Sequence, residues 1–236
     1  MSFEFLAPGA ALGGIVAHSP MERLAKAAGA RLEVRDGWNV ALDFDVPPGT
    51  VAWTDTSHLV KLELQASPAD LAVIVARGAG GAGLEHGRAS RAAGAWWCPL
   101  TDQRALVLCE PRAAAALREA LEAAVADVPG AAGLTEVTTV YAALTITGQQ
   151  ARELFARFCS LDLRDVSTPV RGLRPGSVAR SPGLVLRESG DRFLMLFGWA
   201  LAEYMWTVVA DAARHLGGGP AGVEALAPLE EAIPRA

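Results

Sequence analysis

One pattern occurs twice in this chain and limits what it can fold into. Val60, Leu62, Leu64 and Ala66 alternate as on a strand with one buried face. Ser67-Pro68-Ala69-Asp70 then supplies a capping serine, a first-turn proline and a carboxylate, and Leu71, Ile74, Val75 and Gly78 mark the inner face of the helix they open. Further on, Val140, Ala142, Leu144 and Ile146 alternate with the same parity. Thr147 and Gln150 offer a second capping box, and Ala151, Leu154, Phe155 and Phe158 take the inner face. The downstream parts match as well. Thr101-Asp102-Gln103-Arg104 before Leu106 and Leu108 mirrors Ser189-Gly190-Asp191-Arg192 before Leu194 and Leu196, each a hairpin turn followed by a strand. Each strand feeds a long helix. Pro111 to Asp127 turns Leu117, Leu121 and Val125 inward, and Ala200 to Leu216 turns Leu201, Met205, Val208 and Ala212 inward, with Gly217 at its end.

The order strand, helix, strand, strand, helix, met twice, predicts an α+β fold of tandem duplicated β-α-β-β-α units. Ahead of them, Ser19-Pro20-Met21-Glu22 reads as a cap for a short helix over 20–28. Asp36-Gly37 between Arg31–Arg35 and the alternating Trp38, Val40, Leu42 and Phe44 reads as a type I′ hairpin, since both central residues must take φ > 0. Pro47-Pro48-Gly49 ends it. The predicted organisation is an N-terminal helix and hairpin over 1–50, units over 51–130 and 131–217, and a flexible tail over 218–236. In that tail Val223, Leu226, Leu229 and Ile233 form a weak amphipathic stretch broken by Pro228.

Composition serves mainly to exclude. A 51% hydrophobic share supplies a core, and 21 Lys+Arg against 26 Asp+Glu, net −5, argues against a nucleic-acid binder, which needs a cationic surface. Residues 1–6 include Glu4 and no Lys or Arg, unlike a secretory leader, and the longest apolar run, 71–76, is too short for a membrane span. Cys98, Cys109 and Cys159 form no Cys-x-x-Cys pair, as expected of buried thiols in a reducing, cytoplasmic setting.

Four features bear on chemistry. Gly78 to Gly83 satisfies G-x-G-x-x-G, but a dinucleotide fingerprint follows a strand, whereas a helix cap precedes this one. Asp55, Ser57 and His58 lie close in sequence, yet on a strand Ser57 and His58 point to opposite faces and cannot act as nucleophile and base; the expectation is a strand entry bonded to local backbone. His18, His86 and His215 are scattered without ligand spacing, so no metal site is expected. Trp96-Trp97 on a strand should place one indole in the core and one toward a neighbouring domain, a partner or a ligand. Arg164, Arg171, Arg174, Arg180, Arg187 and Arg192 face only Asp165, Glu188 and Asp191, which fits either a solvated loop or a surface for an anionic ligand or acidic partner.

Several segments resemble a known family. Ser19-Pro20 through Gly29-Ala30, Asp36-Gly37-Trp38, and Asp55-Thr56-Ser57-His58 ahead of Lys61-Leu62-Glu63-Leu64 look like the opening of glycine-cleavage T-protein, the folate-dependent aminomethyltransferase. Tyr141-Ala142-Ala143-Leu144, Ala151-Arg152-Glu153-Leu154, Cys159-Ser160-Leu161-Asp162-Leu163 and Ala202-Glu203-Tyr204-Met205-Trp206 are closer to the gamma subunit of heterotetrameric sarcosine oxidase. The resemblance implies tandem α+β units and a link to folate and one-carbon metabolism. It also has gaps. An active T-protein holds the pterin with an aspartate of an Asn-x-x-Gly-Gly-x-x-Asp-Asp segment, and the corresponding Gly94 to Leu100 contains no acid. Where the family has Gly-Tyr-Thr-Gly-Glu-x-Gly-Phe-Glu, Gly183 to Met195 carries Leu184 and Leu194 in place of the Tyr and the last Glu. No arginine stands near Gly222 to Ala225 to pair with folate. The resemblance therefore implies a non-catalytic gamma-type subunit whose partners are flavin-dependent oxidase subunits. No catalytic residue is assigned, and no cofactor is expected to bind tightly. Its alternative is a tetrahydrofolate-binding one-carbon transferase with a pocket at Trp38, Asp55, His58 and Arg180. The partner surface expected of the subunit is Trp96 or Trp97 with Arg164, Arg171 and Arg174.

Overall fold

The computed structural model describes residues 15–45, 49–80 and 83–226. The chain opens with β1 (Ala17–His18), α1 (Glu22–Ala27), β2 (Ala30–Arg35) and β3 (Trp38–Phe44), and continues through β4 (Ala52–Asp55) to β5 (Val60–Gln65). Then come α2 (Pro68–Gly78), β6 (Ser90–Ala92), β7 (Ala95–Pro99), β8 (Arg104–Cys109) and α3 (Pro111–Ala126). The second half runs β9 (Gly133–Glu136), β10 (Tyr141–Thr147), α4 (Ala151–Ala156), β11 (Leu173–Val178), β12 (Ser181–Ser189), β13 (Arg192–Gly198), α5 (Ala202–Arg214) and β14 (Gly219–Pro220). Single 3-10 turns sit at Trp199–Leu201 and Val223–Ala225.

The fold is α+β. One sheet has the order β6-β7-β8-β5-β9 and another β11-β12-β13-β10-β4, with β14 added in parallel at the β4 edge. Within each five-strand array every neighbour is antiparallel. Each helix pair is thus separated by three strands rather than the two expected, because β6 and β11 each add a hairpin arm. The strand that opens each segment crosses over: β4 directly precedes β5 yet pairs with β10, and β9 directly precedes β10 yet pairs with β5. A cut at residue 130 would therefore separate the helices cleanly but divide both sheets.

Three apolar clusters define the layers. Leu71, Ile74, Val75, Leu117 and Leu121 of α2 and α3 pack on Leu62, Leu64, Trp97 and Val107. On the far side, Leu154, Phe155, Met205, Trp206 and Val209 of α4 and α5 pack on Leu144, Ile146, Phe193 and Met195. Between the sheets, Trp96, Leu106 and Leu108 meet Leu184, Leu186, Leu194 and Leu196. This helix, sheet, sheet, helix stacking corrects the single buried face expected of β5. Lys61 and Glu63 are buried too, at 0% and 7% exposure, because the face away from the helices is covered as well. Both tryptophans are inside for the same reason: Trp97 faces the helices and Trp96 the opposite sheet, so neither offers an indole to a partner.

Local signals decide several ends. Asp36 and Gly37 have φ of 49° and 81°, as the type I′ turn between β2 and β3 demands. Ser67 caps α2, its Oγ accepting the Asp70 N–H at 3.2 Å. Helix α1 starts later than expected, at Glu22, yet Ser19 still caps the turn ahead of it: its Oγ accepts the Met21 N–H at 3.1 Å while its hydroxyl donates to the Asp55 carboxylate. The cap expected of α4 does not form, because Thr147 stays in β10 opposite Arg192. The buried stripe of α5 is Ala202, Met205, Trp206, Val209 and Ala213, one residue round from the expected Leu201, Val208 and Ala212, since the chain enters through the 3-10 turn at Trp199–Leu201.

The described part of the tail is tied down rather than loose. Gly219 and Pro220 pair with Ala52 and Trp53, and the buried Ala221 donates its N–H to the Trp53 carbonyl at 2.8 Å. Tail residues 227–236, the turn 46–48 and residues 81–82 of the glycine loop lie outside the described residues. Residues 68–78, which precede that loop, are helical, so the strand that a dinucleotide fingerprint requires is not there. No helix of the described residues is long and apolar enough to cross a membrane.

Candidate functional site

The chain leaves one sheet at the end of β4 and enters the other at β5, and around the link 56–59 lie Asp55, His58 and Lys61. The Asp55 carboxylate accepts the Ser57 N–H at 3.0 Å and the Ser19 hydroxyl. The Ser57 Oγ accepts the Ala143 N–H of β10 at 3.1 Å, so this serine bonds the neighbouring strand and does not face a base. The Lys61 ammonium, wholly buried, donates to the Ser57 carbonyl at 2.6 Å. Burial pushes the Asp55 carboxyl up, against the lowering bonds from Ser19 and Ser57. It pushes Lys61 down to about 7 and His58 down to about 4, with the Lys61 charge adding to the His58 shift. At neutral pH His58 is therefore an uncharged imidazole, 3.9 Å from the Glu110 carboxylate.

Three of the four predicted pocket residues come together. Trp38, Asp55 and His58 line one cavity, but its volume is about 10 Å³, room for a single water at most. Arg180 is not with them. It lies exposed in the β11–β12 turn, with Ala179 and Arg180 at φ of 47° and 64°. Polar chemistry continues instead on the other side of His58, in a cleft of about 390 Å³. Its floor carries Thr56 and Thr145, whose hydroxyls are 3.1 Å apart. Thr54 lies on the same strand face as Thr56, opposite Thr145 in register, and its buried Oγ has no hydrogen-bond partner among the described residues. One wall holds Glu188, 2% exposed, which accepts the Trp96 Nε1–H at 3.0 Å and the Arg192 Nε–H at 2.7 Å. The Arg91 guanidinium sits 5.4 Å from the Trp96 ring centre. Burial raises the Glu110 carboxyl and, together with Glu188, the Cys98 thiol, which makes that cysteine inert as a nucleophile. Arg35, Arg112, Val223 and Leu226 complete the rim. Among the described residues no group of three or more His, Cys, Asp or Glu side chains is placed to hold a metal ion.

The arginine-rich stretch mostly fastens its own loop. Arg164 forks onto Asp162, Arg174 reaches the Gly87 carbonyl at 3.3 Å, and Arg187 donates to the Thr168 carbonyl at 2.9 Å and to Asp165. Arg171 has φ of 70°, and its N–H bonds the Arg187 carbonyl at 2.7 Å. The acid that matters in the cleft, Glu188, is counted in the sequence only as a counter-charge to these arginines. Its signal is the buried alternation Leu184, Leu186, Glu188, which places a carboxylate on the inward face.

No protein-family model matches the sequence, and no curated protein matches it. Solved structures do match in fold. A chain of the heterotetrameric sarcosine oxidase from Corynebacterium sp. U-96, in complex with pyrrole 2-carboxylate, superposes over 85% of this chain and 96% of that one, with a TM-score of 0.66 and 21% identity. Aminomethyltransferase T of the glycine cleavage system from Bartonella henselae superposes over 89% of this chain, with a TM-score of 0.70 and 18% identity. The protein has the T-protein fold. The fold that the resemblance implies is thus the one the backbone adopts. This chain spans 60% of the aminomethyltransferase, against nearly all of the sarcosine oxidase chain.

Proposed function

We propose that the chain is a non-catalytic, gamma-type accessory subunit of a folate-linked flavin amine oxidase, acting in one-carbon metabolism in the reducing cytoplasm, where its three free thiols persist. The observation that carries this reading is the state of Glu188. A folate enzyme of this fold needs a carboxylate open to the donor edge of a pterin. Here Gly94 to Leu100 carries no acid, and the buried acid of the cleft already accepts bonds from Trp96 and Arg192. At 2% exposure Glu188 has no open face for a pterin to meet, and pterin donors seated against it without an acceptor would cost about 1–3 kcal/mol each. With both tryptophans buried, the partner surface narrows to the loop carrying Arg164 and Arg171.

The alternative, a one-carbon transferase that binds tetrahydrofolate, is favoured by the cleft itself, whose about 390 Å³ falls in the range of small-molecule sites. Calorimetric titration with tetrahydrofolate separates the two. The accessory reading expects no saturable heat at micromolar ligand and co-purification with flavin-dependent oxidase subunits. Tight binding that Glu188→Gln abolishes would establish the transferase in its place.

A further inference from the structure

Glu224 holds a place that an external carboxylate could take. After β14 the chain is anchored as far as Gly222, which lies so close to the Leu42 backbone that a Cβ there would collide with it. Beyond that point it forms a strap. Val223 and Leu226 line the cleft, and the 3-10 turn between them is closed by the Ala225 N–H to the Gly222 carbonyl at 3.1 Å. The Glu224 side chain reaches across to β2, with one oxygen 2.7 Å from an Arg35 nitrogen and the other 3.8 Å from Arg31. Arg35 lines the same cleft as Arg91 and Arg112. Arg35 also lies 3.4 Å from Glu33 on its own strand, so the nearer carboxylate on this arginine is the one the strap brings. Arg35 and Glu224 are about half exposed, at 41% and 48%, and ion pairs in that setting are weak and readily exchanged.

We propose that the Arg35 side of the cleft is a binding site for a small organic carboxylate, and that Glu224 occupies it as an internal stand-in until such a ligand exchanges with it. The incoming carboxylate pairs with the Arg35 guanidinium, its apolar body lies against Val40 and Leu108, and residues 223–226 swing off the cleft. The exchange is purely non-covalent and does not rest on the accessory-subunit reading.

The test uses benzoate and its neutral isostere benzamide as probes of the full chain at fixed ionic strength, read by amide chemical shifts of residues 222–226. Benzoate is expected to bind at least about tenfold more tightly than benzamide. Glu224→Gln, which removes the competing carboxylate, should raise benzoate affinity by about three- to tenfold and lower hydrogen-exchange protection over 223–226. Arg35→Gln should erase the preference for benzoate while leaving the melting temperature near that of the parent, since the side chain lies on an outer strand. Equal affinity for the two probes, no binding of either, unchanged benzoate affinity in Glu224→Gln, or a preference that survives Arg35→Gln would each overturn the proposal. Tetrahydrofolate plays no part in this experiment, so its outcome and that of the calorimetric titration are independent.

Discussion

The two crossovers, 56–59 and 137–140, make the same backbone connection with different contents. In each, the first residue donates its N–H to the strand it has just paired with: Thr56 to the Ala143 carbonyl at 3.0 Å, Val137 to the Lys61 carbonyl at 2.8 Å. A turn closes behind each, from Leu59 to Thr56 and from Val140 to Val137. A buried hydroxyl then accepts a strand N–H, Ser57 from Ala143 and Thr138 from Lys61. The flanks differ. Asp55, which ends β4, is buried beside Lys61 and bonded to the half-buried Ser19, whereas Glu136, which ends β9, is exposed and pairs with Arg118 on the surface. The strand exchange needs the hydroxyls and the backbone bonds. The buried charges are an addition on one side only, the side that meets α1 and the cleft.

The largest expected effect breaks this asymmetry. Asp55→Ala leaves the Ser57 N–H and the Ser19 hydroxyl without their acceptor and Lys61 without its nearby charge, and should destabilise the fold by about 3–5 kcal/mol. Glu136→Ala at the matching position removes a surface pair and the acceptor of the buried Thr138 hydroxyl at 2.8 Å, and should cost less, about 1–2 kcal/mol. Urea midpoints of the two variants measure the difference, and near-equal losses would show that the buried cluster is not where the stability lies.

Next comes pH. Lys61 sits at about 7 in the folded chain against 10.5 when unfolded, so between these values the unfolded state binds more protons and stability rises with pH. The contribution is complete above the unfolded value and is lost as pH falls toward 7, with a slope of at most about 1.4 kcal/mol per unit. His58, lowered from 6.5 to about 4, acts in the same direction between those values, while Asp55, raised, opposes it in the acid range. Lys61→Met should flatten the alkaline rise in melting temperature, and Thr138→Val, at the other crossover, should leave it in place.

What could be read beforehand was what is settled locally. Asp36-Gly37 makes its turn because positive φ is a property of two adjacent residues, and Ser67 caps α2 because donor and acceptor lie three residues apart. The apolar faces of α2 and α4 follow from spacing alone. The exchange of β4 and β9 could not be read, because either strand satisfies its own hydrogen bonds equally well in either sheet. Burial of Trp96 and Lys61 depends on a second sheet covering the first, and alternation says only which residues share a face. The cleft stayed hidden for the same reason: Glu188, Thr145, Arg91 and Val223 come from four distant segments.

A finer test compares the two hydroxyls. Ser57→Ala removes the acceptor of the Ala143 N–H, and Thr138→Val that of the Lys61 N–H, each a buried strand donor left unpaired at about 1–3 kcal/mol. Chemical denaturation should give losses that agree within about 1 kcal/mol, and amide exchange should speed up at Ala143 in one variant and at Lys61 in the other. A loss confined to Ser57→Ala would tie the stabilisation to the charged cluster and not to the exchanged strand.

The smallest expected difference lies at the helices that follow the two crossovers. Both carry an alcohol where a cap is due, but only Ser67 makes the bond: its Oγ takes the Asp70 N–H and also bonds the Asp70 carboxylate at 2.8 Å. Thr147 lies in β10 instead, paired with Arg192, and α4 starts behind Gly148, whose φ is 112°. Ser67→Ala should therefore cost about 1 kcal/mol, the usual loss of an N-cap. Thr147→Val keeps a β-branched residue on a strand and should change stability by no more than about 0.5 kcal/mol. Thermal melts of the two variants, a few degrees apart by this reasoning, decide the point. Equal losses would mean that Thr147 reaches the α4 N-terminus in solution, and that the two halves open their helices alike.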